Sequence, residues 1–311
     1  MEQNFETCLY NVVDAAKIQK DEPMKKHTTF RIGGPADYFI MPSNEKELAE
    51  TIRVCREFSI PIYKEFQTPY YIVGNGSNLL VGDKGFRGAI IQLYKSMGTF
   101  QVEGNQITAQ AGCSLAQIAN AALDAALTGF EFAAGIPGTL GGAVVMNAGA
   151  YGGEMKDVLT SVRVMTEEGE IMELPAEKLG LGYRTSIIPE KRYIVLGAVI
   201  SLTEGKKEEI KAQMDDLRQK RVSKQPLEYP SAGSTFKRPE GYFAGKLIQD
   251  SGLKGFTVGG AQVSEKHSGF VINKGNATAA DVMELIRQVT AKVKEDTGVT
   301  MEPEVKQIGE F

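Results

Sequence analysis

The chain has 311 residues, of which 42% are hydrophobic and 24% charged, a composition typical of a folded protein. Its formal net charge of −4 offers no basic field, so we do not expect nucleic acid as a partner. Three scattered cysteines and two histidines predict no disulfide framework, no metal site and no Ser-His-Asp triad. The N-terminus lacks the basic and apolar regions of a secretion signal, so we expect a cytoplasmic location.

The first elements are a helical N-terminal segment, an alternating strand within residues 27–42, and a capped helix. Asn44 followed by Glu47 is a helix-start signal, and Leu48, Ile52 and Cys55 share one helical face. This helix is interpreted as scaffold.

A tandem duplication follows this helix. REFSIPIY (residues 56–63) is succeeded directly by KEFQTPYY (residues 64–71), and the two share Glu, Phe, Pro and the final Tyr. The prolines argue against a continuing helix. We interpret the repeat as a loop-sized insertion.

The second copy leads into an apolar strand, Tyr70 to Val73, that ends in a glycine loop. A Rossmann turn is rejected, because Leu79 stands in place of the third glycine and the following residues are strand-like. Two interpretations stay open at this point: a hairpin loop, or a nest of N–H groups that holds a diphosphate together with the Ser77 and Asn78 side chains. The loop residues are Gly74, Asn75, Gly76, Ser77 and Asn78.

Residues 98–112 alternate on both sides of Gly104-Asn105 and predict a β-hairpin. Ser114 with Gln117 predicts a capping box for a helix over residues 115–127, ended by Gly129. A second hairpin is predicted around residues 168–169, followed by a strand over residues 192–202.

The stretch from Ala133 to Gly153 contains no charged residue but has seven glycines. Glycine at this density does not suit a transmembrane helix, so no membrane span is expected. We predict buried, irregular backbone whose N–H groups face an anion. A glycine-rich turn between core strands is the alternative.

The last hundred residues begin with a polar helix over residues 208–221, whose apolar face is Ile210, Met214 and Leu217. The basic run that follows is interpreted as a solvated face or as part of an anion pocket. A late helix over residues 281–295 has Thr278 as N-cap and Gly298 as stop, and the tail is predicted to be a strand.

Four motifs resemble those of the UDP-N-acetylenolpyruvoylglucosamine reductases, the MurB family. GIPGTLGGAVVMNAGAYG is similar to that family's flavin-binding segment, and GYRTS, AGSTFKRP and MEPEVK match its catalytic positions. The resemblance covers nearly the whole chain, and the length resembles the shorter, second subclass. The duplication of residues 56–71 departs from the family pattern.

The resemblance implies an α+β fold. It comprises an FAD-binding fold of the vanillyl-alcohol oxidase/PCMH type, made of two α+β lobes, and a C-terminal α+β substrate-binding domain. We place the lobes at residues 1–95 and 96–204, with FAD between the loop of residues 74–78 and the segment of residues 133–153. The substrate-binding domain, with the catalytic C-terminal strand, is residues 205–311.

The implied activity is reduction of UDP-N-acetylglucosamine enolpyruvate to UDP-N-acetylmuramate in peptidoglycan biosynthesis. It would use non-covalent FAD, with NADPH as co-substrate and a monomer as the working form. NADPH and the UDP-sugar substrate would occupy one cleft in turn. A flavin oxidase of the same superfamily, or a non-catalytic flavin or nucleotide-sugar binding protein, remains the alternative.

The resemblance also implies residue roles. Arg184 and a protonated Glu304 would hold the substrate carboxylate, and Ser234 would donate the proton. Substrate contacts are expected from Tyr183, Arg221, Lys224 and Lys237. The residues implied for FAD are Gly74, Asn75, Gly76, Ser77, Asn78, Gly135, Ile136, Pro137, Gly138, Thr139, Gly141, Gly142, Ala143, Asn147, Gly149 and Ala150.

Overall fold

The structure is a computed structural model that describes residues 4–58 and 70–311. Most of the duplicated segment, residues 59–69, lies outside the described residues. The tandem insertion therefore stays a prediction.

The described residues contain both helices and strands throughout, so the α+β class is confirmed. The helices are α1 (Phe5–Val12), α2 (Glu45–Glu57), α3 (Leu115–Asp124), α4 (Leu140–Val145), α5 (Lys207–Lys224), α6 (Ala244–Asp250) and α7 (Ala279–Thr297). The strands are β1 (Ile18–Pro23), β2 (Pro35–Ile40), β3 (Tyr70–Val73), β4 (Leu79–Val81), β5 (Phe86–Gln92), β6 (Phe100–Glu103), β7 (Gln106–Gln110), β8 (Leu127–Thr128), β9 (Gly149–Ala150), β10 (Gly153–Glu154), β11 (Leu159–Met165), β12 (Ile171–Pro175), β13 (Ile194–Ser201), β14 (Thr203–Glu204), β15 (Ser231–Ser234), β16 (Thr257–Val258), β17 (Ala261–Val263), β18 (Phe270–Asn273) and β19 (Lys306–Ile308).

The chain divides into two compact units, neither of which is one continuous stretch. Unit 1 comprises Met1–Gln19, Tyr38–Asn75 and Ala89–Lys220, and unit 2 comprises Lys20–Asp37, Gly76–Gly88 and Arg221–Phe311. The three consecutive parts expected from the sequence remain a prediction about domains.

Unit 1 is built on a five-stranded antiparallel sheet in the order β12-β11-β13-β7-β6. Its two hairpins are the predicted ones, since Glu103 lies opposite Gln106 and Met165 opposite Ile171. In the same unit β3 pairs in parallel with the end of β5, with Tyr70 opposite Ala89 and Val73 opposite Gln92. The glycine loop therefore leaves the carboxyl end of β3.

Unit 2 has a four-stranded sheet in the order β15-β18-β17-β16, and its core contains the buried face of α7. That face is the predicted one: Val282, Leu285, Ile286, Val289 and Val293. Near the C-terminus β19 pairs in parallel with β4, so that Lys306 lies opposite Leu79. This pairing brings the last residues beside the end of the glycine loop.

Helix starts follow the predicted capping residues. Asn44 accepts a hydrogen bond from the Glu47 N–H, Ser114 forms a capping box with Gln117, and Thr278 forms one at α7. Gly298 ends α7 in the left-handed conformation, with φ +74°. These local signals are satisfied within one turn of helix, which is why sequence alone reveals them.

Three boundaries differ from the sequence expectation. Helix α3 stops at Asp124, not residue 127, because Ala126 has φ +55° and Leu127–Thr128 pairs with β14. Helix α5 runs to Lys224 and buries only Ile210 of its expected apolar face. The predicted tail strand shortens to Lys306–Ile308, since only these residues pair with β4.

Candidate active site

The loop after β3 presents main-chain donors. Within the described part of the chain, the N–H groups of residues 75–78 donate no hydrogen bond. Gly76 has φ +61°, and a Cβ there would lie 2.1 Å from the His27 carbonyl oxygen. Successive N–H groups in such a conformation form an anion-binding nest. The loop fits the predicted diphosphate contact.

The loop lies against the glycine-rich segment within unit 1. Asn75 Nδ2 donates to the Pro137 carbonyl oxygen at 2.7 Å. A Cβ on Gly74 would lie 2.2 Å from Oγ1 of the buried Thr139, so only glycine allows this approach. The N–H groups of Gly138, Thr139 and Gly142 also lack a hydrogen-bond acceptor among the described residues. The two motifs therefore meet with several unpaired donors.

The glycine-rich segment is more regular than predicted. Residues 140–145 form α4, so the expectation of irregular backbone is wrong there. A Cβ on Gly141 would lie 2.9 Å from the Ala111 Cβ, so α4 packs closely against the residue that follows β7. The segment then turns at Asn147, with φ +44°, into the β9–β10 hairpin.

Arg184 occupies a tight turn in unit 1. The N–H of Gly182 donates to the Thr185 carbonyl at 3.2 Å, and the Thr185 N–H donates back at 3.3 Å. Arg184 has φ +54°, a left-handed conformation that costs a non-glycine residue roughly 1–2 kcal/mol. Its Nη2 donates to the Gly149 carbonyl at 3.4 Å, and its guanidinium lies 5.2 Å from the centre of the exposed Tyr183 ring.

Asn147 connects the glycine-rich segment to this turn. Its Nδ2 donates to the Gly182 carbonyl at 3.1 Å and to Glu154 Oε2 at 2.6 Å, while its Oδ1 accepts from the Lys156 N–H. Its side chain is thus engaged by protein, and its N–H donates to the Val144 carbonyl at 3.2 Å. Sequence reasoning missed Glu154, although it is the first charged residue after the segment.

Ser234 and Glu304 lie on adjacent backbone segments of unit 2. Ser234 is exposed at the end of β15, opposite Phe270, just after Gly233 with φ +77°. The next residue, Thr235, is buried, and its carbonyl accepts from the Glu304 N–H at 2.7 Å. The structure therefore brings these two predicted catalytic residues together. Thr235, which makes the connection, was missed because its neighbours are far away in sequence.

The end of the glycine loop joins the same group. Asn78 Nδ2 donates to the Glu304 carbonyl at 3.3 Å, and the Asn78 carbonyl accepts from the Lys306 N–H. Asn78 Oδ1 is buried and has no hydrogen-bond partner among the described residues. A buried acceptor without a partner is costly, so this atom suits a ligand or a water molecule.

The predicted substrate cations differ in their surroundings. Lys237 forms an ion pair of 2.9 Å with Glu302, and hydrogen bonding to Lys237 lowers the pKa of the exposed Glu302 carboxyl. Arg221 and Lys224 lie at the C-terminal end of α5, where Lys224 is exposed.

Two further features concern the described residues as a set. Residues 4–58 and 70–311 contain no group of three or more His, Cys, Asp or Glu side chains arranged to hold a metal ion. Among the same residues, no helix has both the length and the apolar character needed to cross a membrane.

Two glycine motifs in contact, both with unpaired N–H groups among the described residues, are typical of a protein that binds an anionic group such as a diphosphate. The comparisons agree. Residues 36–175 match an FAD binding domain, and residues 225–308 match the UDP-N-acetylenolpyruvoylglucosamine reductase C-terminal domain.

Relatives match along the whole chain. The UDP-N-acetylenolpyruvoylglucosamine reductase of Agathobacter rectalis is 54% identical, with 100% of both chains covered, and that of Clostridioides difficile is 51% identical, with 99% covered. The crystal structure of MurB from Thermus caldophilus superposes with a TM-score of 0.78 at 37% identity, covering 92% of this chain and 97% of that one. The chain belongs to the UDP-N-acetylenolpyruvoylglucosamine reductase family, MurB. The predicted fold and the FAD cofactor are confirmed.

Proposed function

We propose that the protein reduces UDP-N-acetylglucosamine enolpyruvate to UDP-N-acetylmuramate with NADPH, a step of peptidoglycan biosynthesis. The observation that carries the proposal is that Glu304 lies beside the segment of Ser234, since the Glu304 N–H donates to the carbonyl of the next residue, Thr235. Family membership indicates the class of reaction. Ser234 and Glu304 are the proposed proton donor and carboxylate contact of its second half-reaction, the reduction of the substrate.

The reaction adds two hydrogens across the alkene of an enolpyruvyl ether. Bound FAD would supply the redox chemistry, namely the transfer of a hydride from NADPH to the β carbon of the substrate. The substrate is then left with negative charge at its α carbon and carboxylate. The protein must hold that charge and supply a proton.

Ser234 is the proposed proton donor. A serine hydroxyl is a weak acid, but it can protonate a carbanionic centre, and a positioned donor contributes about 10²- to 10⁴-fold. Its exposure leaves the Oγ accessible to a substrate. The bond between the neighbouring Thr235 carbonyl and Glu304 fixes the backbone from which it projects.

Arg184, in unit 1, and Glu304, in unit 2, are the proposed carboxylate contacts. The Arg184 guanidinium provides a planar fork that can bind a carboxylate through two hydrogen bonds. Glu304, in its protonated form, can donate one hydrogen bond to the developing charge. Tyr183, stacked near Arg184, is the proposed neighbouring contact to the sugar or carboxylate.

The substrate diphosphate needs cations, and we propose Arg221, Lys224 and Lys237 for this role. Arg221 and Lys224 share the last turn of α5. Lys237 is paired with Glu302, so it would have to exchange that carboxylate for a phosphate.

The proposed cofactor contacts are the unpaired N–H groups of both glycine motifs. We propose non-covalent attachment, because the Cys113 thiol donates to the Thr99 carbonyl and burial raises its pKa to about 11. A thiol held protonated does not attack a flavin ring. Acid precipitation should release all FAD. We further propose that the protein is a monomer, which light scattering would test. Its proposed location is the cytoplasm.

The function is tested by incubating the purified protein with NADPH and the enolpyruvyl UDP-sugar under anaerobic conditions. Mass spectrometry should show a product with two additional hydrogens. One NADPH should be consumed for each molecule of product. Oxygen consumption with an alcohol or sugar in the absence of NADPH would instead identify an oxidase. Flavin and UDP-sugar binding without turnover would identify a non-catalytic binding protein.

A further inference from the structure

Glu154 lies across the β9–β10 hairpin from Gly149. The hairpin turns at Tyr151 and Gly152, with φ +54° and +94°, and two positive φ values are what a tight hairpin turn requires. Gly149 is also the residue whose carbonyl accepts the hydrogen bond from Arg184 Nη2. The hairpin thus places Glu154 on the strand paired with Gly149, whose carbonyl accepts the hydrogen bond from Arg184.

The Glu154 carboxylate is fixed by its surroundings. It accepts from Asn147 Nδ2 at 2.6 Å and pairs with Lys156 Nζ, and the Glu154 N–H donates to Asp157 at 2.9 Å. Asn147 is fully buried. Removing its carboxylate partner would leave a buried donor unpaired, which proteins rarely tolerate.

Asn147 passes this restraint to the turn that carries Arg184. Its second Nδ2 hydrogen bond goes to the carbonyl of Gly182, the first residue of the turn. Just beyond the turn, Ser186 Oγ donates to the Val145 carbonyl at 2.6 Å. A non-glycine residue at positive φ persists only where its surroundings over-determine it, and residues 145–154 supply that restraint here.

We infer that Glu154, acting through Asn147, is a positioning residue that holds Arg184 in its left-handed conformation for the substrate carboxylate. The inference rests on the proposed role of Arg184. Glu154 itself need not touch substrate. Its loss should therefore impair the step that uses Arg184 and spare the reduction of FAD by NADPH.

The first test compares Glu154→Ala with wild type as holoenzymes in anaerobic stopped flow. Reduction by NADPH should proceed at close to the wild-type rate, whereas reoxidation by the enolpyruvyl substrate should be about ten- to a hundredfold slower, as expected when a reacting group is misplaced. Glu177→Ala, which removes an exposed acid of the same unit, should leave both rates unchanged. Equal slowing of both half-reactions by Glu154→Ala would overturn the inference.

The second test exploits the direction of the hydrogen bond. Glu154→Gln retains a side-chain oxygen that can accept from Asn147 Nδ2 and leaves the bond from Asn147 to Gly182 intact, whereas Glu154→Ala removes the acceptor. Faster reoxidation in Glu154→Gln than in Glu154→Ala supports the inference. No improvement would contradict it.

The third test separates this inference from the proposed function. In an Arg184→Lys background, Glu154→Ala should cause little additional slowing, because both changes remove the same contact. Full additivity would overturn the inference while leaving the proposed function intact. If the wild-type protein is not reoxidised by the enolpyruvyl substrate, the proposed function fails and the inference fails with it.

Discussion

Ser234 is the residue whose role can be isolated most cleanly, because the two half-reactions of a ping-pong flavoenzyme can be observed separately. Ser234→Ala should be reduced by NADPH at close to the wild-type rate. Reoxidation by the enolpyruvyl substrate should slow by about 10²- to 10⁴-fold, since the positioned proton is lost. Flavin absorbance in stopped flow measures both rates.

Ser234→Cys is the matched variant, since it places a more acidic group at the same exposed position. It should recover part of the loss. Equal slowing of both half-reactions would mean that Ser234 only shapes the cleft. Unchanged rates would mean that residues 233–235 are turn structure alone.

The Arg184→Lys variant separates the contribution of the positive charge from that of the planar guanidinium. Arg184→Lys retains a cation but loses the planar fork, so substrate reoxidation should slow strongly and KM for the enolpyruvyl sugar should rise. A left-handed Lys carries the same backbone cost as Arg, so stability should change little. Near-normal turnover of the variant would remove Arg184 from the mechanism.

At the scale of elements, we propose that the contact between the two glycine motifs supports FAD binding. Gly74→Ala should lower FAD affinity, because its Cβ would lie 2.2 Å from Thr139 Oγ1, and overpacking typically costs about 1–3 kcal/mol. FAD content after purification and flavin fluorescence on titration measure the effect.

Thr139→Ala is the compensating change, since it removes the atom that would clash. The double variant should bind FAD better than Gly74→Ala alone. Thr139→Ser, which retains the Oγ, should give no such rescue. If the double variant is as weak as Gly74→Ala, then the close approach of these motifs is not the reason for glycine at position 74.

Local signals explain which elements could be predicted. The capping residues Asn44, Ser114 and Thr278 act within their own helices, and hairpins such as that of residues 100–110 pair neighbours in sequence. The end of α3 was missed because it depends on the distant strand β14. Tertiary pairing, not propensity, decides such boundaries.

The residues of the candidate site divide in the same way, into those that the sequence reveals and those that depend on distant partners. Glycine motifs and short catalytic motifs could be recognised in the sequence, because their residue types are tied to the chemistry. The supporting residues Glu154 and Thr235 could not, because a threonine or glutamate becomes informative only when its partner is known. Lys237 shows the converse, since its ion pair with Glu302 is invisible in the sequence.

At the scale of the whole molecule, each unit combines segments from distant parts of the chain. Arg184 belongs to unit 1, whereas Ser234 and Glu304 belong to unit 2. The chain matches its relatives over its full length. The proposed reaction requires reduction by NADPH and reoxidation by the UDP-sugar as two separable events.

The most direct measurement follows the flavin absorbance of the purified holoenzyme under strictly anaerobic conditions. NADPH should bleach the protein, and after removal of NADP⁺ the enolpyruvyl UDP-sugar alone should restore the oxidised spectrum while forming UDP-N-acetylmuramate. A bleached protein that only oxygen can recolour, or a protein bleached by a sugar without NADPH, would contradict the account.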